Sequence, residues 1–268
     1  MSPAEIVALI AGIALIVVLA VLFVWYSNNA LTLTKYTVQS PKVPERGLKI
    51  VHLSDLHGKL FGRNGRRLFK LVAEQKPDII CFTGDIIHNY KGGGQEVAAY
   101  TVSRLIKIAP VYFIAGNHEM RNKHYRALKK SISDAGAIVL DNQVERVYGI
   151  NLVGVNGAHL KNATPFRLAD GLEGFRLLLA HEPQYIARYA MAGYDLVLSG
   201  HAHGGQWRIP FTSVGVYSPG QGLFPKYTEG LHTVGDLRMI ISRGLGNSEF
   251  PLRIFNRPEV VVIDLKKC

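Results

Sequence analysis

Residues 6–24 form an unbroken apolar run, IVALIAGIALIVVLAVLFV. As a helix rising about 1.5 Å per residue, such a run crosses a hydrocarbon core of roughly 30 Å. Trp25 and Tyr26 follow it, aromatic side chains suited to the headgroup layer. A cleaved signal peptide opens on a positive segment, whereas the only charge before this run is Glu5, so the pattern favours a retained anchor over residues 1–27. Residues 28–47 are polar and carry Pro41, Pro44 and Gly47, which predicts a linker holding a short strand over 31–38. From residue 48 to 268 the pattern is that of a folded domain. Short β-rich runs at 48–53, 78–83 and 110–115 alternate with stretches of helical spacing, and further strand patterns fall at 137–140, 144–148, 151–155, 176–180, 196–199, 238–242 and 260–265. This distribution predicts an α/β fold: a sandwich of two mixed β-sheets flanked by helices, preceded by one N-terminal transmembrane helix.

A length of 268 residues supports one substantial domain, and 48% hydrophobic residues exclude a disordered chain. The formal net charge of +11 would attract nucleic acid, an anionic membrane surface or a phosphorylated substrate. No Lys/Arg-rich run, zinc-finger spacing or aromatic RNA-binding signature accompanies it, which sets nucleic acid below the other two. Lys35, Lys42, Arg46 and Lys49 follow the apolar run and no Lys or Arg precedes it, so the positive-inside rule puts the domain in the cytoplasm. With only Cys81, in a predicted buried strand, and Cys268, the last residue, neither a structural disulfide nor a cysteine zinc site is expected.

Five short segments stand at or just beyond predicted strand ends: Ser54-Asp55-Leu56-His57, Gly84-Asp85, Gly116-Asn117-His118-Glu119, His181 and Gly200-His201-Ala202-His203. Ligands of open α/β sheets bind outside the carboxyl ends of the strands. In Asp55-x-His57 and His201-x-His203 an extended backbone would point both side chains of a pair into one cavity. Imidazole and carboxylate suit Zn, Mn, Fe and Mg, and the donors suffice for two ions. Taken singly each segment is weak: Asp-x-His before a loop is usually a turn or surface pair, Gly-Asp simply favours turns, and a lone histidine is usually packed or exposed without a ligand. Their order behind successive strands is what points to one metal site.

That ordered set resembles the calcineurin-like metallophosphoesterase superfamily, over nearly everything after the linker. Gly204-Gly205-Gln206, Ser242-Arg243-Gly244-Leu245-Gly246, Arg253 and Arg257-Pro258-Glu259 resemble its membrane-associated YkuE/YaeI-type bacterial phosphodiesterase branch. The resemblance implies two divalent metal ions, Mn, Fe, Zn or Mg. Asp55, His57 and His203 would bind one, Asn117, His181 and His201 the other, and Asp85 would bridge them. The nucleophile is then solvent-derived, and His118 is the candidate general acid, with the orientation of a neighbouring ligand as its alternative role. The motif commonly continues Gly-Asp-x-x-Asp, whereas here position 88 is histidine; this alters the hydrogen bonding expected around Asp85 and makes His88 a candidate for substrate contact. Arg243 and Arg253 are candidates to pair with phosphate, against the commoner role of charged surface residues. His52 is expected to be packed in its strand or at its edge, and His124, His159 and His232 carry no motif.

The implied function is a membrane-anchored phosphohydrolase cleaving a phosphodiester or pyrophosphate bond, with a phospholipid or UDP-2,3-diacylglucosamine as candidate lipid substrates. Its partners are then a phosphate ester and the membrane, the oligomeric state being open. The alternatives are a phosphomonoesterase or phosphoprotein phosphatase, which the missing Arg-Gly continuation after Gly84-Asp85 disfavours, and a non-catalytic metal-binding scaffold, which the full ligand set and His118 disfavour.

Overall fold

The computed structural model describes all residues except 89–93, 158–161, 163 and 248–249, so His159 lies outside the described residues. The apolar run forms α1 (Pro3–Asn29), closed at its start by a capping box in which Ser2 and Glu5 satisfy each other's backbone N–H groups. Its mean hydropathy reaches 3.3 over 18 residues and none of that window is buried, so by length and composition it can cross a membrane.

In chain order the next elements are β1 (Thr32–Gln39), β2 (Leu48–Leu53), α2 (Arg66–Glu74), β3 (Ile79–Phe82), α3 (Gln95–Leu105), β4 (Val111–Phe113), α4 (Asn117–Met120), α5 (Tyr125–Asp134) and β5 (Ile138–Val139). They are followed by β6 (Gln143–Val147), β7 (Ile150–Val155), α6 (Thr164–Ala169), β8 (Arg176–Ala180), α7 (Ile186–Met191), β9 (Leu196–Ser199), β10 (Tyr217–Ser218), β11 (Gly222–Leu223), β12 (Gly230–Val234), β13 (Leu237–Ile241) and β14 (Glu259–Lys266). One sheet has the order β1-β14-β2-β3-β4-β5 and the other β12-β13-β9-β8-β7-β6. The last strand, β14, runs between β1 and β2, parallel to the first and antiparallel to the second. The strand expected in residues 31–38 is therefore a full member of the sheet, pairing from Thr32 against Glu259 to Gln39 against Lys266.

Alternate residues of the inner strands are apolar on both faces, as buried parallel strands require. Leu48 and Ile50 of β2, Ile79 and Cys81 of β3, Leu177 and Leu179 of β8 and Leu196 and Leu198 of β9 meet in one core between the sheets. Val51, Leu53, Ile80 and Phe82 point the other way, onto the buried faces of α2, α3 and α5. On the second sheet Leu178, Ala180 and Val197 pack against Ile186 and Tyr189 of α7 and Ala169 of α6. The sandwich of two mixed sheets with helices outside is thus the observed fold. Cys81 is buried, Cys268 exposed, and both are free thiols.

The parallel strands β2, β3 and β4 of one sheet, joined through α2 and α3, and β8 and β9 of the other, joined through α7, deliver their carboxyl ends to one side, and β13, reached through β10–β12, runs parallel to β9. The loops that leave those ends build the site.

Candidate metal centre

The backbone at the site is not extended. Asp55, His57, Asp85, His201 and His203 all lie in the left-handed region, with φ of 51°, 49°, 54°, 66° and 49°. Asp55 and His57, and His201 and His203, do converge on donor clusters that share Asp85, but by tight left-handed turns after β2 and β9 and not by the alternation of a strand. Such backbone is disfavoured for residues with a Cβ and gathers where function over-determines it. Hydrogen bonds between loops hold it: Asp55 N donates to Gly84 O at 3.0 Å, His57 N to Asp85 O at 3.0 Å, and Gly246 N to Asp55 O at 2.6 Å. Two glycines permit the approach. A Cβ on Gly116 would stand 2.2 Å from Asp85 Oδ1, and one on Gly200 would stand 1.9 Å from Ser54 Oγ.

Two donor clusters result. Asp55, His57, Asp85 and His203 each turn one donor atom into a group spanning no more than 4.8 Å, and Asp85, His181 and His201 do the same. Asp85 belongs to both. His57 Nε2 lies 3.2 Å from His203 Nε2, which is 3.4 Å from Asp55 Oδ1. On the other side His181 Nε2 is 3.1 Å from Asp85 Oδ2, 3.1 Å from Asn117 Oδ1 and 3.2 Å from His201 Nδ1. The outer nitrogens fix the rings: Nδ1 of His57 is 3.1 Å from Ile87 O and Nδ1 of His181 is 2.7 Å from Thr83 O. Donation from Nδ1–H to those carbonyls leaves Nε2 as a lone pair facing inward, the form that binds metal. Imidazole nitrogens 3.2 Å apart need a proton or a cation between them, so this all-nitrogen-and-oxygen, buried donor set fits divalent ions.

Electrostatics agree with that fit. Burial pushes His57 and His201 down to about 3 and holds His203 well below its ordinary range, which favours neutral rings, the form a metal would need. Burial also raises Asp55. Burial acts in the same sense on Asp85, but His181, His118 and His57 overcome it and hold that carboxyl well below the usual carboxylate range. Burial opposes a charge on His181, yet Asp85 lifts it to about 10. These opposite directions favour a second proton on His181, at the Nε2 that faces ionised Asp85 in the metal-free site, which a bound cation would replace.

His118 is the second residue of α4, with its N–H donating to Asp85 Oδ1 at 2.9 Å and its Nδ1 3.0 Å from His88 O. Its Nε2 is 3.9 Å from Asp85 Oδ2, so the ring borders the site. The main chain of His88 thus positions His118, while the His88 ring is exposed and 5.5 Å from that of His57. Glu119, to which the motifs assign no role, holds the loops of the site together. Fully buried, it accepts from the N–H groups of Asp85 at 2.7 Å, Ile87 at 3.2 Å and Gly116 at 2.8 Å, fastening the loop after β3 to the loop after β4. The signal was in the sequence, since an acid three residues after Gly116 is a capping-box position.

Neither arginine proposed for phosphate is a surface residue. Arg253 is fully buried and donates to Gly246 O at 2.9 Å and Arg243 O at 2.9 Å, with Nη2 3.4 Å from His203 Nδ1. Arg243 pairs with Glu259 at 3.2 Å and Glu229 at 3.4 Å. His52 packs inside the sandwich, 2.8 Å from Thr83 Oγ1. His124 lies in a turn, where its N–H donates to Asn122 Oδ1, and His232 lies in β12, where its ring meets Glu229 O.

A two-sheet sandwich with carboxylates and imidazoles at its strand ends is the frame of a metal-dependent phosphoesterase. The sequence profile of the calcineurin-like phosphoesterases matches residues 48–205, and this chain belongs to that family. Among its relatives, the Bacillus subtilis (strain 168) protein named uncharacterized metallophosphoesterase YkuE is 32% identical over 249 residues, covering 87% of this chain and 85% of its own length. Phosphodiesterase YaeI of Escherichia coli (strain K12) is 30% identical, covering 81% of this chain and 82% of its own. A transmembrane protein with metallophosphoesterase domain from Danio rerio is 28% identical, covering 94% of this chain and 62% of its own.

Proposed function

We propose that this chain is a membrane-anchored, two-metal phosphohydrolase that cleaves a phosphodiester or pyrophosphate bond, with a lipid-linked phosphate as its substrate. The observation that carries the reading is Asp85, shared by both donor clusters. Asp55, His57 and His203 would hold one divalent ion, Asn117, His181 and His201 the other, and the carboxylate of Asp85 both. Two such ions supply polarisation of the phosphoryl oxygens and an acidified water.

The chain's own residues account for the rest. Nδ1 of His118 donates to His88 O, so Nε2 is the atom that carries a proton to the leaving-group oxygen. Glu119 keeps Asp85 and Asn117 in register by gripping the backbone on both sides of them. The apolar helix α1 and the name of the Danio rerio relative support a membrane setting, and the Lys and Arg residues after α1 support a cytoplasmic domain. The name of YaeI supports a diester in preference to a monoester.

The test is hydrolysis by the metal-reconstituted full chain of a phosphomonoester, a phosphodiester, a phospholipid and UDP-2,3-diacylglucosamine side by side. The reading expects diester or pyrophosphate turnover to exceed monoester turnover, and a lipid to be the best substrate. Preference for the monoester would replace it with a phosphomonoesterase, and no turnover with any metal would leave a binding scaffold.

A further inference from the structure

A contiguous apolar surface starts at the end of α1 and runs across the domain. Phe23 of α1 meets Phe255, their ring centroids 4.8 Å apart. Beside Phe255, Ile254 bridges to Trp207, whose ring lies 5.8 Å from Phe250 and whose Nε1 donates to Leu252 O. Phe250 in turn is 6.0 Å from Tyr217, which pairs in register with Leu223. From Trp207 the chain also runs out into a turn, closed by Ile209 N donating to Val214 O at 3.1 Å, that carries Phe211 at its tip. The outermost side chains are unusually exposed for their type: Phe211 at 107%, Leu223 at 70% and Phe224 at 64%. Single exposed apolar residues are ordinary, but a continuous set beside a polar site is the mark of an interaction surface.

The same helix end is bolted to the domain. Asn28 accepts from Arg253 N at 2.9 Å and donates to Arg253 O at 3.1 Å, and the Arg253 side chain reaches His203. Arg257 donates to the Tyr26 hydroxyl at 2.8 Å, and Lys59 donates to the Asn28 carbonyl. Lys59 and Arg257 thus put positive charge at the helix end, and beyond Lys59 the chain continues through the exposed Arg63, Arg66 and Arg67.

From this arrangement we infer that the aromatic surface is a second membrane contact, in which Trp207, Phe211, Leu223, Phe224, Phe250 and Phe255 enter the headgroup and upper acyl layer of an anionic bilayer next to α1. Continuity with α1 fixes the occupant as the bilayer that α1 crosses, and the arginines match anionic headgroups. A helix end held at several points cannot swing freely from its domain, so this face meets the bilayer whenever α1 spans it. The metal centre then stands one arginine side chain from the helix end, at the level of the lipid headgroups. The inference rests on the membrane reading of α1.

The chain has two tryptophans, Trp25 in α1 and Trp207 in the aromatic surface, which makes the two claims separable. Full-length Trp25→Phe and Trp207→Phe proteins are reconstituted into phosphatidylglycerol-containing vesicles whose acyl chains carry bromine near the headgroup, and tryptophan emission is compared with unbrominated vesicles. Both single-tryptophan proteins are expected to lose about half of their emission or more, as interfacial side chains do. Adding Phe211→Ser, Leu223→Ser and Phe224→Ser, all exposed, is expected to restore Trp207 emission and leave Trp25 quenched. Quenching of Trp25 without Trp207 overturns the second contact alone. Absence of quenching at Trp25 overturns the membrane reading itself. A Trp207 that resists bromine but is shielded from aqueous iodide in the reconstituted protein assigns this face to a protein partner and also overturns the inference.

Discussion

Asp85 is asked to do three things with one side chain and one peptide. Its carboxylate accepts from His118 N, faces the imidazoles of His181, His57 and His118, and its own N–H is spent on Glu119. Removing the grip of Glu119 leaves three buried N–H groups without an acceptor, each worth roughly 1–3 kcal/mol when unpaired. Glu119→Ala is therefore expected to lower the melting temperature and to weaken metal binding together, by thermal unfolding and metal analysis; unchanged metal affinity would remove its role in the site. His118→Asn is expected to keep its metals and to slow turnover most for poor leaving groups, and a uniform loss across a leaving-group series would contradict proton delivery. His52 gives the pH prediction. Burial lowers it to about 3 from an ordinary 6.5, so its contribution is complete above pH 6.5 and is lost as pH falls from there towards 3. Metal-free His52→Leu should lose less stability between pH 7 and pH 4.5 than the native chain in urea unfolding, by on the order of 1–3 kcal/mol; equal losses would show that His52 is not buried neutral. At this scale the ligand types were legible because metal chemistry restricts them to a few residues in order. The left-handed backbone of those residues and the burial of Arg253 were not, since both are imposed by loops that meet only in three dimensions.

The elements carry the residues to one another, and the tolerances are narrow. Gly116→Ala keeps an ordinary φ but puts a methyl group on the Asp85 carboxylate, so it is expected to reduce metal occupancy while the protein still folds, at a cost of about 1–3 kcal/mol. Native metal content in that variant would show that the loops are not held this closely. Most strands were legible as apolar runs with turn residues between them, and the parallel ones agree with the pattern to within a residue or two. The short β10 and β11 and the half-exposed β12 were not, because two-residue pairings and polar edge strands carry little periodic signal. The place of β14 between β1 and β2 was equally out of reach: an apolar strand pattern states that a strand is buried and does not state beside which neighbours.

For the whole molecule, the two sheets hold a cluster of neutral imidazoles and carboxylates that is poorly matched to itself without cations. His57 and His201, lowered to about 3, would meet a metal as neutral rings, whereas His181 is raised to about 10 beside Asp85 and would have to give up its proton. Loading is therefore expected to release protons and to raise the melting temperature, and metal removal to reverse both; a proton count of zero in unbuffered titration would contradict a protonated His181 in the metal-free site. The helix α1 is tied to this same cluster through Asn28 and Arg253, which makes helix, domain and site one mechanical unit.

The central claim is that one shared carboxylate makes two metal sites into a single hydrolytic centre. It is tested most directly by titrating the metal-free native chain and Asp85→Asn with Mn²⁺ while counting bound metal and following hydrolysis of a phosphodiester. The native chain should take up two ions and reach full rate only with the second, and Asp85→Asn should hold fewer and lose at least about 100-fold in rate. Full rate with one ion bound, or native turnover in Asp85→Asn, would contradict the account.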